Sequence, residues 1–283
     1  MFPTPLHKTA PVTQALYKVG LPVALLVWLL PIIAVALTSI RGQGDIANGN
    51  YWGWPTEWQV VENYTAIFRN TPIARYIVNS LMVAIPTVIG AVALSCLAGF
   101  ALGTYRFKAN LAVFFLFVGG NFIPFQILMV PVRDLSLRLG LYDSVGGLVL
   151  FHIAFQTGFC TFFMRNFIRD LPHELIEAAR IEGASEWQIF WRVVLPLVRP
   201  ALAALSVLVF TFIWNDYFWS TVLIQGDHAM PVTGGLNSLN GIWVAQWHLV
   251  SAGSIVAALP PVLIFFLMQK QFIAGLTLGA TKG

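Results

Sequence analysis

The sequence predicts an all-α membrane protein with about six transmembrane helices. Three observations carry this. Apolar residues make up 58% of the chain and charged residues only 10%, where an average soluble domain is about 25% charged. The mean hydropathy is +0.76. About six apolar runs reach the roughly 20 residues that a helix needs to cross about 30 Å of hydrocarbon. These features argue against a soluble enzyme or a disordered regulator. The sixteen basic residues give a net charge of +4 but form no polybasic block, which argues against a nucleic-acid partner. Membrane β-strands alternate in hydrophobicity; Phe114-Phe115-Leu116-Phe117-Val118 does not, so the spans are helices.

The first run, 16–40, is longer than the 7–15 apolar residues of a signal peptide and reads as a retained anchor. The second, 73–103, exceeds one span; it either tilts or begins on the membrane surface. The remaining runs are 111–132, 145–167, 200–224 and 249–272. This organises the chain into an N-terminal anchor with an external loop (1–72) and a core transmembrane domain (73–283) containing an internal loop, 170–199. The connection 41–72 is polar and places Trp52, Trp54 and Trp58 around Pro55. Tryptophan favours the membrane–water interface, so this loop is expected to lie on the outer surface. Residues 227–248, rich in Gly, Asn and Trp, form a second external loop. With the N-terminus inside, eleven basic residues fall on the inner side and five on the outer, so the positive-inside rule gives N-in, C-in.

Chemistry is sparse. Cys96 and Cys160 lie inside apolar runs and make no disulfide framework. No Gly-Lys pair exists, so the chain lacks a phosphate-cradling P-loop. His173-Glu174 lacks the second histidine of a zinc site, and no Gly-x-Ser-x-Gly elbow occurs. No catalytic residue, metal or cofactor is therefore expected on this chain. Ionisable groups inside a bilayer are costly and tend to mark function. His152 and Asp216 are the main ones here, and a lone histidine on an apolar helix is more often a packing residue.

The most charged segment is the internal loop. Pro172 can open a helix, Glu174 and Glu177 suit its N-terminal dipole, and Leu175, Ala178, Ala179 and Glu182 recur at helical spacing. Gly183 is a natural C-terminal stop. A second, amphipathic helix follows over 186–194, with Trp187, Phe190, Trp191 and Val194 on one face. Pro196 and Pro200 bracket the approach to the next span. On these grounds alone the segment is either a docking surface or a solvated connector.

Glu177-Ala178-Ala179, Gly183, Leu195-Pro196 and Pro200 together resemble the EAA loop of ABC importer permeases, with Glu182 where that family usually has Asp. Glu62-Asn63-Tyr64, Asn79-Ser80-Leu81, 214–219 and the C-terminal stretch 269–283 are similar to the carbohydrate-uptake branch, specifically maltose-permease G-type subunits. The likeness runs from about residue 55 to the end of the chain. It implies a type I importer permease in the bacterial cytoplasmic (inner) membrane, a non-catalytic half of the pathway. A second permease, two copies of a cytoplasmic ATPase holding ATP and Mg, and an extracytoplasmic sugar-binding protein would be its partners.

By the resemblance, Glu177, Ala178, Ala179, Arg180, Glu182 and Gly183 would dock in the ATPase. Gly279, Lys282 and Gly283 would lie along the ATPase dimer, or simply fray. Gly234, Gly235 and Asn237 would form the tip of an external loop that probes the binding protein, or a plain flexible loop. Asn215 and Asp216, within the aromatic stretch 214–219, would either meet sugar or fix helix packing; Asn121 and Gln126 are further candidates for lining the pathway. The cargo is expected to be a carbohydrate, with glycerol phosphate or a polyol as the alternative in the same machinery. A standalone secondary transporter is the alternative of another class.

Overall fold

The computed structural model describes residues 10–239 and 246–278, with side chains up to 270. Among these residues regular structure is helical throughout, apart from one isolated bridge between Arg41 and Trp58. Four helices are long and apolar enough to cross a membrane, and six spans result if two bent pairs each count as one.

The chain forms two compact units. One comprises the chain up to Thr71 with Leu239–Val256. It contains α1 (Pro11–Ser39), the short α2 (Gln43–Ala47) and α3 (Val60–Asn70). The loop between α1 and α3 is a structured knot around Arg41, which is fully buried. Arg41 donates to the carbonyls of Leu37, Asn50 and Gly53. Asn63 on α3 donates to the carbonyls of Ser39 and Arg41, both at 3.0 Å. Trp52, Trp54 and Trp58 remain exposed, as interfacial residues would.

The second unit takes Pro72–Ser238 and the chain from Ala257 onward. Its centre is the pair α4 (Ile73–Thr104) and α7 (Val145–Arg169). On α7 the buried residues Leu148, His152, Gln156, Cys160, Met164 and Ile168 recur every fourth position, forming one ridge. On α4, Gly99 lets the backbone of α7 approach: a Cβ there would lie 2.9 Å from Arg165 N and from Met164 Cβ. Gly103 follows one turn later against Arg165 O.

Two expected spans are not straight. The run 111–132 is α5 (Asn110–Gly119) and α6 (Met129–Arg138), joined by short 3₁₀ turns and bent by 89° at Ile123-Pro124. A residue before proline is driven out of helical geometry, and Ile123 is extended at φ −77°, ψ 120°. The run 200–224 stops after α11 (Arg199–Trp214) and resumes as α12 (Phe218–Leu223). By contrast, 73–104 is one continuous helix. α13 (Val232–Ser238) and α14 (Trp247–Leu278) complete the described chain.

Candidate functional site

The internal loop folds as a capped hairpin. α8 (His173–Ile181) starts after Pro172. It stops where Gly183 takes φ +83°, a left-handed conformation that suits glycine. Ala184 N–H then donates to Ala179 O at 3.0 Å. Ser185 and Gln188 make a reciprocal capping box for α9 (Glu186–Ile189). A π-helical turn over Phe190–Val194 follows, before α10 (Leu195–Leu197). Pro196 supplies no N–H and its ring crowds the carbonyl of Arg192, which favours such widening. The hairpin then meets α11 at 74°.

α8 rests on the molecule through Ile176 alone among its buried residues. Glu177, Ala178, Arg180, Glu182 and Gly183 are exposed and Ala179 is half-buried, so five of the six residues expected to couple are exposed at the hairpin end. Leu175 is 45% exposed and Ile181 88%, the latter an apolar contribution that the helical spacing did not flag. The Trp187, Phe190 and Trp191 rings of the next helix touch one another, with centroids 5.3 to 5.9 Å apart, but only Phe190 and Val194, with Ile189, are buried, while Trp187 and Trp191 are exposed.

A polar set fixes the hairpin to the end of α4. Arg180 donates from Nε to Glu186 Oε1 at 2.7 Å and from Nη2 to Oε2 at 3.1 Å. Tyr105 Oη donates to the same Oε2 at 2.7 Å. The hydrogen bonds from Arg180 hold the Glu186 carboxyl below the usual carboxylate range. Burial, then the Glu186 hydrogen bond, push the Tyr105 phenol up to about 12. Sequence reasoning missed Tyr105 and Glu186; no motif marks a contact between residues so far apart in the chain.

A second feature is a cavity of about 640 Å³ where α7 faces the break between α11 and α12. His152, Gln156, Thr211, Asn215, Asp216 and Tyr217 supply its polar lining. Its walls are otherwise apolar and mostly aromatic, including Phe155, Phe212, Phe218 and Trp219. The break has a local cause. Asp216 accepts from the backbone of Trp219 at 3.3 Å and of Ser220 at 3.0 Å, starting α12. Aspartate competes in this way with a continuing helix. The stretch 214–219 thus divides: Trp214 is buried and donates to Ala257 O at 3.0 Å, while Asn215, Asp216 and Tyr217 open on the cavity. Gln156 was missed; its signal is a polar side chain one helical turn from His152 in an apolar run. Asn121 lines a smaller adjoining cavity of about 330 Å³ with Gln156. Gln126 is exposed and lines neither.

The expected external loop tip is instead α13. Gly235 is buried against the Tyr76 ring and Gly234 lies beside Met230, leaving Asn237 exposed with its amide 3.0 Å from Tyr217 Oη. Asn79 holds the preceding segment by donating to His228 O and Met230 O, both at 3.0 Å. Gly279, Lys282 and Gly283 lie outside the described residues.

The model of the binding-protein-dependent transport system inner membrane component family matches residues 12–277. The chain belongs to this family. Its membership makes it an inner-membrane, multi-pass permease subunit of an ABC transporter. The arabinooligosaccharides transport system permease protein AraQ of Halalkalibacterium halodurans is 31% identical over 279 residues, 98% of this chain and 99% of that one. The sn-glycerol-3-phosphate transport system permease protein UgpE of Pectobacterium atrosepticum is 34% identical over 210 residues, 74% of each chain. A crystal structure of a bacterial ABC transporter involved in import of the acidic polysaccharide alginate matches with TM-score 0.79 at 22% identity, covering 92% of this permease and 96% of that chain. The helices of this permease therefore have the ABC importer type I fold.

Proposed function

We propose that this permease is one of two non-identical subunits forming the pathway of an ATP-driven carbohydrate importer, and that α8 is its coupling helix. The hairpin carries this reading. α8 starts behind Pro172, is closed at its C-terminal end by Gly183, and is anchored by Ile176 and the Arg180–Glu186–Tyr105 set, with most of its remaining surface exposed. Such a helix can receive a load on one side and pass it to α4 on the other. A cytoplasmic ATPase, in two copies, would dock on Ala178 and Ala179, with Glu177, Arg180, Glu182 and Gly183 around them. ATP and Mg would be held by that partner and none by this chain. Nucleotide must favour one conformer by several kcal/mol to switch populations. An external binding protein would deliver the cargo.

Relatives named for arabinooligosaccharides and for alginate import support carbohydrate as the class. The likeness to a glycerol-phosphate permease supports the second reading, a small phosphorylated or polyol solute. The test is purification from the native membrane in mild detergent, followed by crosslinking and mass spectrometry. An ATPase crosslinked to α8 and a second, different permease are expected. A chain that transports without ATP overturns the reading.

A further inference from the structure

We propose that this subunit itself contacts the cargo, in the cavity where His152 and Gln156 face Asn215 and Asp216, and that the cargo is an uncharged polyhydroxylated molecule. The inference rests on the importer reading above.

Two buried atoms lead to it. His152 is 3% exposed and Gln156 6%, and both line the cavity. Neither His152 Nε2 nor Gln156 Nε2 has a hydrogen-bond partner among the described residues. Buried polar groups are nearly always paired, so two orphans one helical turn apart, on one cavity, call for an external partner. His152 Nε2 lies 3.5 Å from Asp216 Oδ2, long for a direct hydrogen bond. A hydroxyl placed between α7 and the break can accept from Gln156 and donate to Asp216. Sugar hydroxyls do both, whereas a lipid chain satisfies neither group.

The charge of the lining narrows the class. Among the described residues on the cavity there is no lysine or arginine, and Asp216 is the one acid. An anionic cargo would meet that carboxylate without a compensating cation in a poorly screened space. A neutral sugar meets donors, an acceptor and the apolar faces of Phe155, Phe212 and Trp219, the usual composition of a small-molecule site. Asn215 Nδ2 donates to Thr211 O at 2.9 Å and both Asp216 oxygens accept backbone N–H groups, so each residue keeps acceptor lone pairs for a hydroxyl on the cavity.

The test uses the assembled importer in proteoliposomes with its own binding protein. Uptake and ATP hydrolysis are both measured, and the probes are maltotriose, arabinotriose and sn-glycerol 3-phosphate. The wild type is expected to take up a neutral trisaccharide and not the phosphate ester. Gln156→Leu should lower uptake per ATP hydrolysed by about tenfold, the scale of one buried hydrogen bond. Gln156→Asn should restore part of it, which a purely packing role would not predict. Unchanged uptake per ATP in Gln156→Leu overturns the cargo contact and leaves the importer reading standing. Preference for the phosphate ester overturns the neutral class. If Gln156→Leu does not assemble, His152→Asn is read in its place; failure of both to assemble makes the cavity a subunit interface and overturns the proposal. Uptake that needs no ATP in the wild type overturns the importer reading itself.

Discussion

Tyr105 donates a 2.7 Å hydrogen bond to Glu186, joining the residue that ends α4 to the residue that starts α9, the second half of the internal hairpin. The same carboxylate is held by Arg180 of α8. Displacement of α8 therefore reaches α4 through one acidic side chain. Tyr105→Phe removes one hydrogen bond, about 0.5–1.5 kcal/mol. Assembly should survive, with uptake per ATP hydrolysed reduced severalfold. Equal ratios in mutant and wild type would show that the hairpin drives α4 by another route.

The pH response of this set follows from its shifts. Glu186 has a depressed pKa, so its contribution is present above the unfolded value, about 4.3, and is lost as pH falls through the folded one. Tyr105 has a raised pKa, so its contribution is present below the unfolded value, about 10, and is lost as pH rises through about 12. The latch should therefore be intact across pH 5–9. The Arg180–Glu186 pair is partly exposed, and such pairs contribute little each. Hydrogen exchange at α8 and α9, corrected for intrinsic rates, should be flat over that range and rise on acidification below about pH 4. Glu186→Gln should abolish the acid rise.

The α4–α7 contact gives a packing prediction. A side chain at Gly99 would press on α7 backbone at Arg165 and on Met164 Cβ, and neither is the far end of a flexible side chain. Gly99→Val should cost about 1–3 kcal/mol by overpacking. Gly146→Ala, where a Cβ meets open space, should cost little. Thermal unfolding in detergent compares them; a Gly99→Val protein as stable as wild type would mean the helices sit farther apart.

The chain advertised its membrane class because spanning requires long apolar runs, and α1, α4, α7 and α14 follow them closely. The breaks were less legible. Pro124 stood in the sequence, yet proline occurs inside α1 and α4 without ending them, so its effect depends on neighbours. Asn63 and Asn79 read as family landmarks, and their physical reason emerged only in three dimensions: each staples two backbone carbonyls of a distant segment. The hairpin was readable as helix, glycine and helix because caps are local. Its latch was not, since Tyr105 and Glu186 are 81 residues apart. Gly234 and Gly235 looked like a flexible tip, but glycine serves close packing as readily as freedom, and Tyr76 occupies the space beside Gly235.

Ala178 gives the most direct check on docking. It is exposed on α8 and accepts the closing hydrogen bond from Glu182 N–H through its carbonyl, not its side chain. Ala178→Asp therefore leaves the hairpin's own hydrogen bonds intact, at a helix-propensity cost of well under about 1 kcal/mol. Against a docked partner the same change places a carboxylate in a packed contact. An unpaired buried charge there costs about 3–5 kcal/mol, about a hundredfold to a few thousandfold in affinity. The variant should insert and fold normally, pair with the second permease, and lose both ATPase retention and ATP-driven uptake. Ala178→Ser adds one small neutral group and should retain most transport. Normal uptake in Ala178→Asp would remove α8 from the ATPase interface, because a solvated connector tolerates aspartate at an exposed position.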